Sequence, residues 1–200
     1  MQTLNNEVSN AIRKAKALDA ASFDDAFSKF WSALSIQFFK FERLQSYYEP
    51  DDPSYQAFQQ KDMDSAIQHL ENRIEALHLF YEQAARKNVS IIRMRAVEKP
   101  LSEYLNYEFE SYRISSKYGE RILVVDLTNI DHSSDLYIAS DFLMFDAKTV
   151  LVHNYDKNGQ SNGGWLIDDL DDVRVFADLA TRYHEISIPF GHFERQNRLK

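Results

Sequence analysis

Cysteine is absent from this 200-residue chain, which removes disulfides, thiolate nucleophiles and cysteine-ligated zinc or iron–sulfur centres. A reducing compartment fits that absence. Glycine is scarce as well: Gly119, Gly159, Gly163, Gly164 and Gly191 are the full set. A P-loop or a dinucleotide fingerprint needs clustered glycines so that backbone can approach phosphate closely, and neither pattern occurs. No Gly-x-Ser-x-Gly elbow exists to present a serine nucleophile. Long apolar runs are missing too, Ile122–Val125 being typical of the longest, so no bilayer-spanning helix is expected. The start, Met1 to Asn5, lacks the basic and apolar regions of a secretory signal, and a cytoplasmic location is expected. Basic residues are in deficit, 23 against 31 acids for a net charge of −8, which disfavours direct binding of nucleic acid.

Aromatic residues, by contrast, are plentiful. Fourteen Phe and eleven Tyr are enough to build a substantial core and argue against global disorder. Leu4, Val8, Ala11, Ala15 and Leu18 fall on one stripe of a helix of about five turns. Ser22 is a candidate cap for a second helix whose apolar face is Phe23, Phe27, Phe30, Trp31 and Leu34. Ile36–Glu42 suits either a short strand or a helix end, and Pro50-Asp51-Asp52-Pro53 breaks the chain. Met63, Ile67, Leu70, Ile74, Leu77, Tyr81 and Ala84 then repeat at four–three spacing. That seam suits packing within the domain, with a homodimer through Met63, Ile67, Leu70, Ile74 and Leu77 as the alternative.

From Val89 onward the pattern changes. A strand over Val89–Val97, a helix from Leu101 to about Ser116 and a strand over Arg121–Leu127 are expected. Three further strands follow, near Asp141–Phe145, Thr149–Tyr155 and Gly164–Ile167, with Asn158-Gly159 marking a hairpin between the last two. Asp168–Asp172 opens a last helix running to about Ile186. The class is α/β, with α+β the alternative: a helical region over 1–88 and a β-α-β-β-β-β-α sheet domain over 89–200, packed as one unit.

Few motifs carry chemistry. His69, His78, His132, His153, His184 and His192 include no His-Glu-x-x-His pair, so all six read as surface or boundary residues and no metal is expected. Asp156–Gln160 resembles a calcium loop but has Ile167 where the twelfth-position glutamate belongs. The acids of Asp168–Asp172 suit a helix N-terminus. One constellation is more promising. Arg93 and Arg95 alternate on one strand and share a face, while Tyr104, Glu108 and Tyr112 share a face of the next helix. Asp141 and Asp146 bracket the strand Phe142–Phe145. Arg93, Arg95, Tyr104, Glu108, Asp141 and Asp146 are therefore the candidate binding residues, with Glu108 expected to neutralise at least one arginine. Structural ion pairing is the competing account of the same residues.

Arg93 through Tyr104, together with Glu108, resembles an uncharacterised bacterial family, the domain-of-unknown-function family numbered 6879. Tyr118–Ile122, Ser140–Asp146 and Tyr155–Gly159 agree, and Phe39-Lys40-Phe41-Glu42 followed by Tyr47-Tyr48 looks like the family's entry segment. Leu143 departs from the tryptophan usual in the family's Asp-Phe-x-x-Phe-Asp segment. The resemblance implies an accessory role beside helix-turn-helix regulators. The β-α-β-β-β-β-α ending also resembles half of a phospholipase D-like fold, whose His-x-Lys pair is lost here because His153 is followed by Asn154 and Tyr155. A non-enzymatic regulatory domain acting through a protein partner or a small ligand, without a cofactor, is the leading expectation. A hydrolase or phosphodiesterase using Arg93, Arg95, Glu108, Asp141 and Asp146 is the alternative.

Overall fold

Side chains in a strand point alternately to the two faces of its sheet, so each face can be read from every second residue. The computed structural model describes residues 4–134, 137 and 140–198. Helix α1 (Leu4–Lys14) buries Leu4, Val8 and Ala11, then gives way to strand β1 (Lys16–Leu18) instead of continuing for five turns. The reason lies in Leu18, which packs on the opposite face of the sheet from α1, where a continuous helix could not deliver it. The chain crosses the sheet edge here against Gly163, whose φ is +103° and whose added Cβ would lie 2.3 Å from the Leu18 carbonyl. Helix α2 (Ala20–Ser32) is capped by Asp19, which accepts from the Ser22 amide at 2.9 Å, so Ser22 is the capped residue and not the cap.

The ambiguous aromatic segment is strand β2 (Gln37–Glu42). Asp52 caps α3 (Pro53–Gln59), which has proline in its first turn. The long apolar seam forms two helices, α4 (Met63–Ala76) and α5 (His78–Arg86), broken at Leu77, which is exposed while Leu70 and Ile74 are buried within the monomer. Strand β3 (Ser90–Val97) leads to α6 (Glu103–Ser115), capped by Ser102, and to β4 (Arg121–Asp126). Strands β5 (Phe142–Phe145), β6 (Thr149–Tyr155) and β7 (Ser161–Ile167) form an antiparallel meander. Helix α7 (Leu170–Ile186), capped by Asp169, is followed by β8 (Ile188–Pro189) and α8 (Phe190–Arg198), two elements the pattern did not announce.

The α/β class read from the sequence is the one observed, with a mixed eight-stranded sheet in the order β1-β7-β6-β5-β2-β3-β4-β8. Strand β2 pairs in parallel with β3 and antiparallel with β5, so the region before residue 89 supplies a central strand as well as helices. Helices α1 and α7 cover one face through a core that includes Phe41, Met94, Val125 and Phe176. Helices α2, α4, α5 and α6 cover the other. The C-terminal Phe190 and Phe193 close that second face beside α6. Among the described residues no helix is long and apolar enough to cross a membrane.

Candidate functional site

The second face buries charge in its interior, whereas the core under α1 and α7 is apolar. On β2, Phe39 and Phe41 belong to the α1/α7 core, so the intervening Lys40 and the following Glu42 point the other way. The parallel register sets Lys40 beside Arg93 and Glu42 beside Arg95. Two like charges side by side would repel. Glu42 resolves this by bonding both, with Lys40 Nζ at 2.7 Å and Arg93 at 2.6 Å from the same oxygen. Its other oxygen accepts from the Tyr112 hydroxyl at 2.7 Å. Arg93 also reaches Glu120 at 2.9 Å.

Arg95 is fully buried. It donates to the Leu44 carbonyl at 2.5 Å and to the Tyr47 hydroxyl at 3.1 Å, and its guanidinium lies 5.3 Å from the centre of the Tyr47 ring. Tyr47 in turn donates to Asp141, which also accepts from Tyr155 at 2.9 Å and from the Arg43 amide at 2.6 Å. Tyr104, from α6, donates to Glu49 at 2.7 Å. The network is not fully satisfied: Arg95 Nε, Glu120 Oε2 and an oxygen of Glu108 are buried without a hydrogen-bond partner. For Glu108 that atom is Oε2, and the nearest cationic nitrogen, on Arg95, is 3.6 Å away. Nδ1 of His153, on β6, is buried and unpartnered too, its ring packing 4.6 Å from Phe23 and stacking 5.5 Å from Tyr155.

These environments drive the acids apart. Burial pushes Glu42 up, but Arg93, Lys40 and Arg95 outweigh it and hold the carboxyl well below its ordinary value. Glu108 goes the other way, pushed up to about 7 by burial and by the negative charge of Glu42, against the pull of Arg95 and Arg93. Burial also raises Asp141, against its hydrogen bonds from Tyr47 and Arg43. His153 is pushed down to about 3, chiefly by burial with Lys40 adding to it, and so stays a neutral imidazole.

A cavity of about 330 Å³ opens over this network, lined by Glu42, Glu108, Asp141, Tyr47, Tyr104 and Tyr155 among others. Lys40 and His153 form part of its wall and part of the wall of a neighbouring aromatic groove of about 300 Å³ between α2 and α5. Among the described residues, no group of three His, Asp or Glu side chains is arranged to hold a metal ion.

Of the six candidates, Arg93, Arg95, Tyr104, Glu108 and Asp141 converge on this one face. Asp146 does not. It lies beyond the far end of β5, roughly 16 Å along the chain direction from Asp141. There its carboxylate accepts from the Ser35, Ile36 and Gln37 amides at 2.8 to 3.0 Å and fixes the entry to β2. Its backbone φ of 52° belongs to the turn into β6. Arg93 is neutralised by Glu42 and Glu120, whereas Arg95, hydrogen-bonded to neutral oxygens, has Glu108 as its ion-pair partner at 3.6 Å, as expected of Glu108. Lys40, Glu42, Tyr47, His153 and Tyr155 were not among the candidates. The alternation Phe39-Lys40-Phe41-Glu42 carries a signal for the first two once the segment is taken as a strand.

Residues 25–195 match the model of a family described as Domain of unknown function (DUF6879). No curated protein matches the sequence. Among solved structures, that of TrmBL2, described as an archaeal chromatin protein with a novel mode of DNA binding, aligns at 10% identity with a TM-score of 0.44. The alignment covers 88% of this chain and 52% of TrmBL2, so the chain spans about half the length of that protein.

Proposed function

This chain belongs to the DUF6879 family, and we propose that it is a non-enzymatic regulatory domain that binds a small polar ligand in the cavity between β2, β6 and α6. The observation that carries the reading is Glu108. A network serving packing alone gives each buried polar atom a partner, because an unsatisfied one costs about 1–3 kcal/mol. Glu108 Oε2 is buried without a donor, as Arg95 Nε and Glu120 Oε2 are without partners, but of these three residues it is Glu108 that lines the open cavity, where a bound molecule can meet its carboxylate. Action beside a helix-turn-helix regulator in the cytoplasm completes the proposal, the ligand being the signal that such a partnership would transmit. Thermal melts of the purified protein against a panel of small amines, acids and polyols test it. A compound that raises the melting point of the wild type but not of Glu108→Gln supports the site, and a panel without effect on the wild type counts against it.

A hydrolytic reading draws on the titration of Glu108 near neutrality, which suits a general acid or base. It requires turnover of bis(p-nitrophenyl) phosphate or a similar generic ester, abolished by Glu108→Gln. The regulatory reading expects no turnover.

A further inference from the structure

The chemistry of the cavity wall narrows the ligand class, an inference that rests on reading this cavity as a ligand site. Six carboxylates line it, those of Glu42, Glu49, Asp51, Asp52, Glu108 and Asp141, against the single ammonium of Lys40. That ammonium is already held by Glu42. Glu49 and Asp51 stand on the lip formed by Tyr48–Asp52, where a low-dielectric wall concentrates their field toward the opening. An anion entering here meets repulsion, and among the described residues that line the cavity no free cation stands ready to receive it.

Aromatic rings complete the setting. Tyr104 and Tyr155 lie with their centres 5.6 and 5.5 Å from that of Tyr47, so three rings converge on the same end of the cavity. All three hydroxyls donate to carboxylates, Tyr104 to Glu49 and the other two to Asp141, which enriches the ring faces in electron density. Phenol faces beside an undersatisfied carboxylate are a setting in which ammonium groups bind well. We infer that the cavity takes the charged head of a small organic cation, a primary or quaternary ammonium, held against the packed Tyr104 and Tyr155 rings and the Glu108 carboxylate.

The pH dependence follows from the groups that face Glu108. These are Lys40 and Glu42 on β2, Arg93 and Arg95 on β3, Tyr104 and Tyr112 on α6, and Asp141, His153 and Tyr155 from the β5–β6 side. With the free carboxyl titrating at about 7, a bound cation must displace its proton, and amine binding strengthens as pH rises from 6 to 8. Below the midpoint the change approaches about tenfold per pH unit.

The full chain is tested with butylammonium and choline, their neutral isosteres butanol and 3,3-dimethylbutan-1-ol, and butyrate. Potassium salts hold the ionic strength constant, and melting points and ligand-observed NMR supply the readout. The two ammonium ions should bind, and the isosteres and butyrate should bind at least about tenfold more weakly, the scale of one charge-assisted hydrogen bond for butylammonium and of a desolvated cation–π contact for choline, which has no N–H. Glu108→Gln should weaken the ammonium ions by a similar factor and remove their pH dependence. Glu49→Gln, on the exposed lip where folding is not at stake, should weaken them severalfold. Equal binding by butanol or butyrate, or ammonium binding unaffected by both substitutions, overturns the cation assignment. If butyrate or a neutral compound binds and Glu108→Gln abolishes it, the cavity remains a ligand site and only the cation class falls. If no compound of any charge binds, both readings fall.

Discussion

The two faces of the same strands hold together by different physics. Under α1 and α7 the sheet presents Phe39, Phe41, Ile92, Met94, Ala96, Leu123 and Val125, an apolar surface whose burial against Phe176, Leu179 and Tyr183 follows from area and shape. One residue along each strand, the opposite face presents Lys40, Glu42, Arg93 and Arg95, and its burial succeeds only because each charge finds counter-charges or hydrogen bonds. The apolar core of the first face contains no buried acid, base or histidine among the described residues. The second face contains Glu108 and His153, whose protonation is shifted chiefly by burial, which each have a buried atom without a partner, and which line a cavity. An enclosed apolar face gives stability without selectivity, whereas an incompletely satisfied polar face keeps bonding capacity in reserve.

The sharpest test of this contrast exchanges adjacent residues of β3. Met94→Lys sets an unpaired ammonium in the apolar core and should abolish folding, seen as loss of the cooperative melt and of near-ultraviolet circular dichroism. Arg95→Met, one position on, should leave a folded protein destabilised by about 3–5 kcal/mol in urea titration, because Glu42 and Glu108 lose a shared cation. If the two variants behave alike, the distinction between the faces is wrong.

Smaller effects come from the groups whose protonation the second face controls. Glu108 has its carboxyl raised from 4.5 to about 7, so the folded state holds a proton that the unfolded state has released. Its contribution to stability is therefore greatest below pH 4.5, declines as pH rises to 7 and stays low above that. Glu108→Gln should remove this decline and be as stable as the wild type or more so at pH 8, by on the order of 3 kcal/mol at most. His153 is lowered from 6.5 to about 3, so it acts in the opposite sense. Its contribution is full above pH 6.5 and is lost as pH falls toward 3, because unfolding lets the ring take up a proton. His153→Phe should flatten that acid-side loss, worth on the order of 1 kcal/mol at pH 5.5. Between pH 4.5 and 6.5 the two slopes oppose each other in the wild type. Melts across this window should show Glu108→Gln becoming acid-labile and His153→Phe gaining stability on acidification.

Local spacing made part of this site legible. Arg93 and Arg95 sit two apart and Tyr104, Glu108 and Tyr112 four apart, so strand and helix periodicity aligned them before any tertiary information was needed. The fold class and the meander around Asn158-Gly159 were legible for the same reason. Other features depended on contacts remote in sequence. Phe38, Phe39 and Phe41 blur the two-residue period of β2, so neither its strand character nor its central position could be read locally. Once that strand was undecided, Lys40 and Glu42 had no face to belong to, and Glu42 is the carboxylate that organises both arginine rows. His153 gave no motif, because burial beside Phe23 and Lys40 makes it unusual. Asp146 misled through symmetry: the acids at the two ends of β5 read alike, yet one meets tyrosines and the other meets the amides of Ser35–Gln37.

The position of β2 also bears on how the chain reaches its fold. On one side of it lie β3, β4 and β8, and on the other β5, β6, β7 and β1, so the two halves of the sheet meet only through hydrogen bonds to this strand. Its partners are far along the chain, Gln37 pairing with Ser90 and Phe38 with Phe145. Closing loops of that length precedes any gain from the pairing, which makes such topologies slow to fold. Until β2 docks, β3 and β5 each present an unprotected edge to other molecules, and a fragment beginning at residue 89 would keep those edges permanently. The same strand that carries Lys40 and Glu42 into the cavity therefore also guards the nascent chain against association.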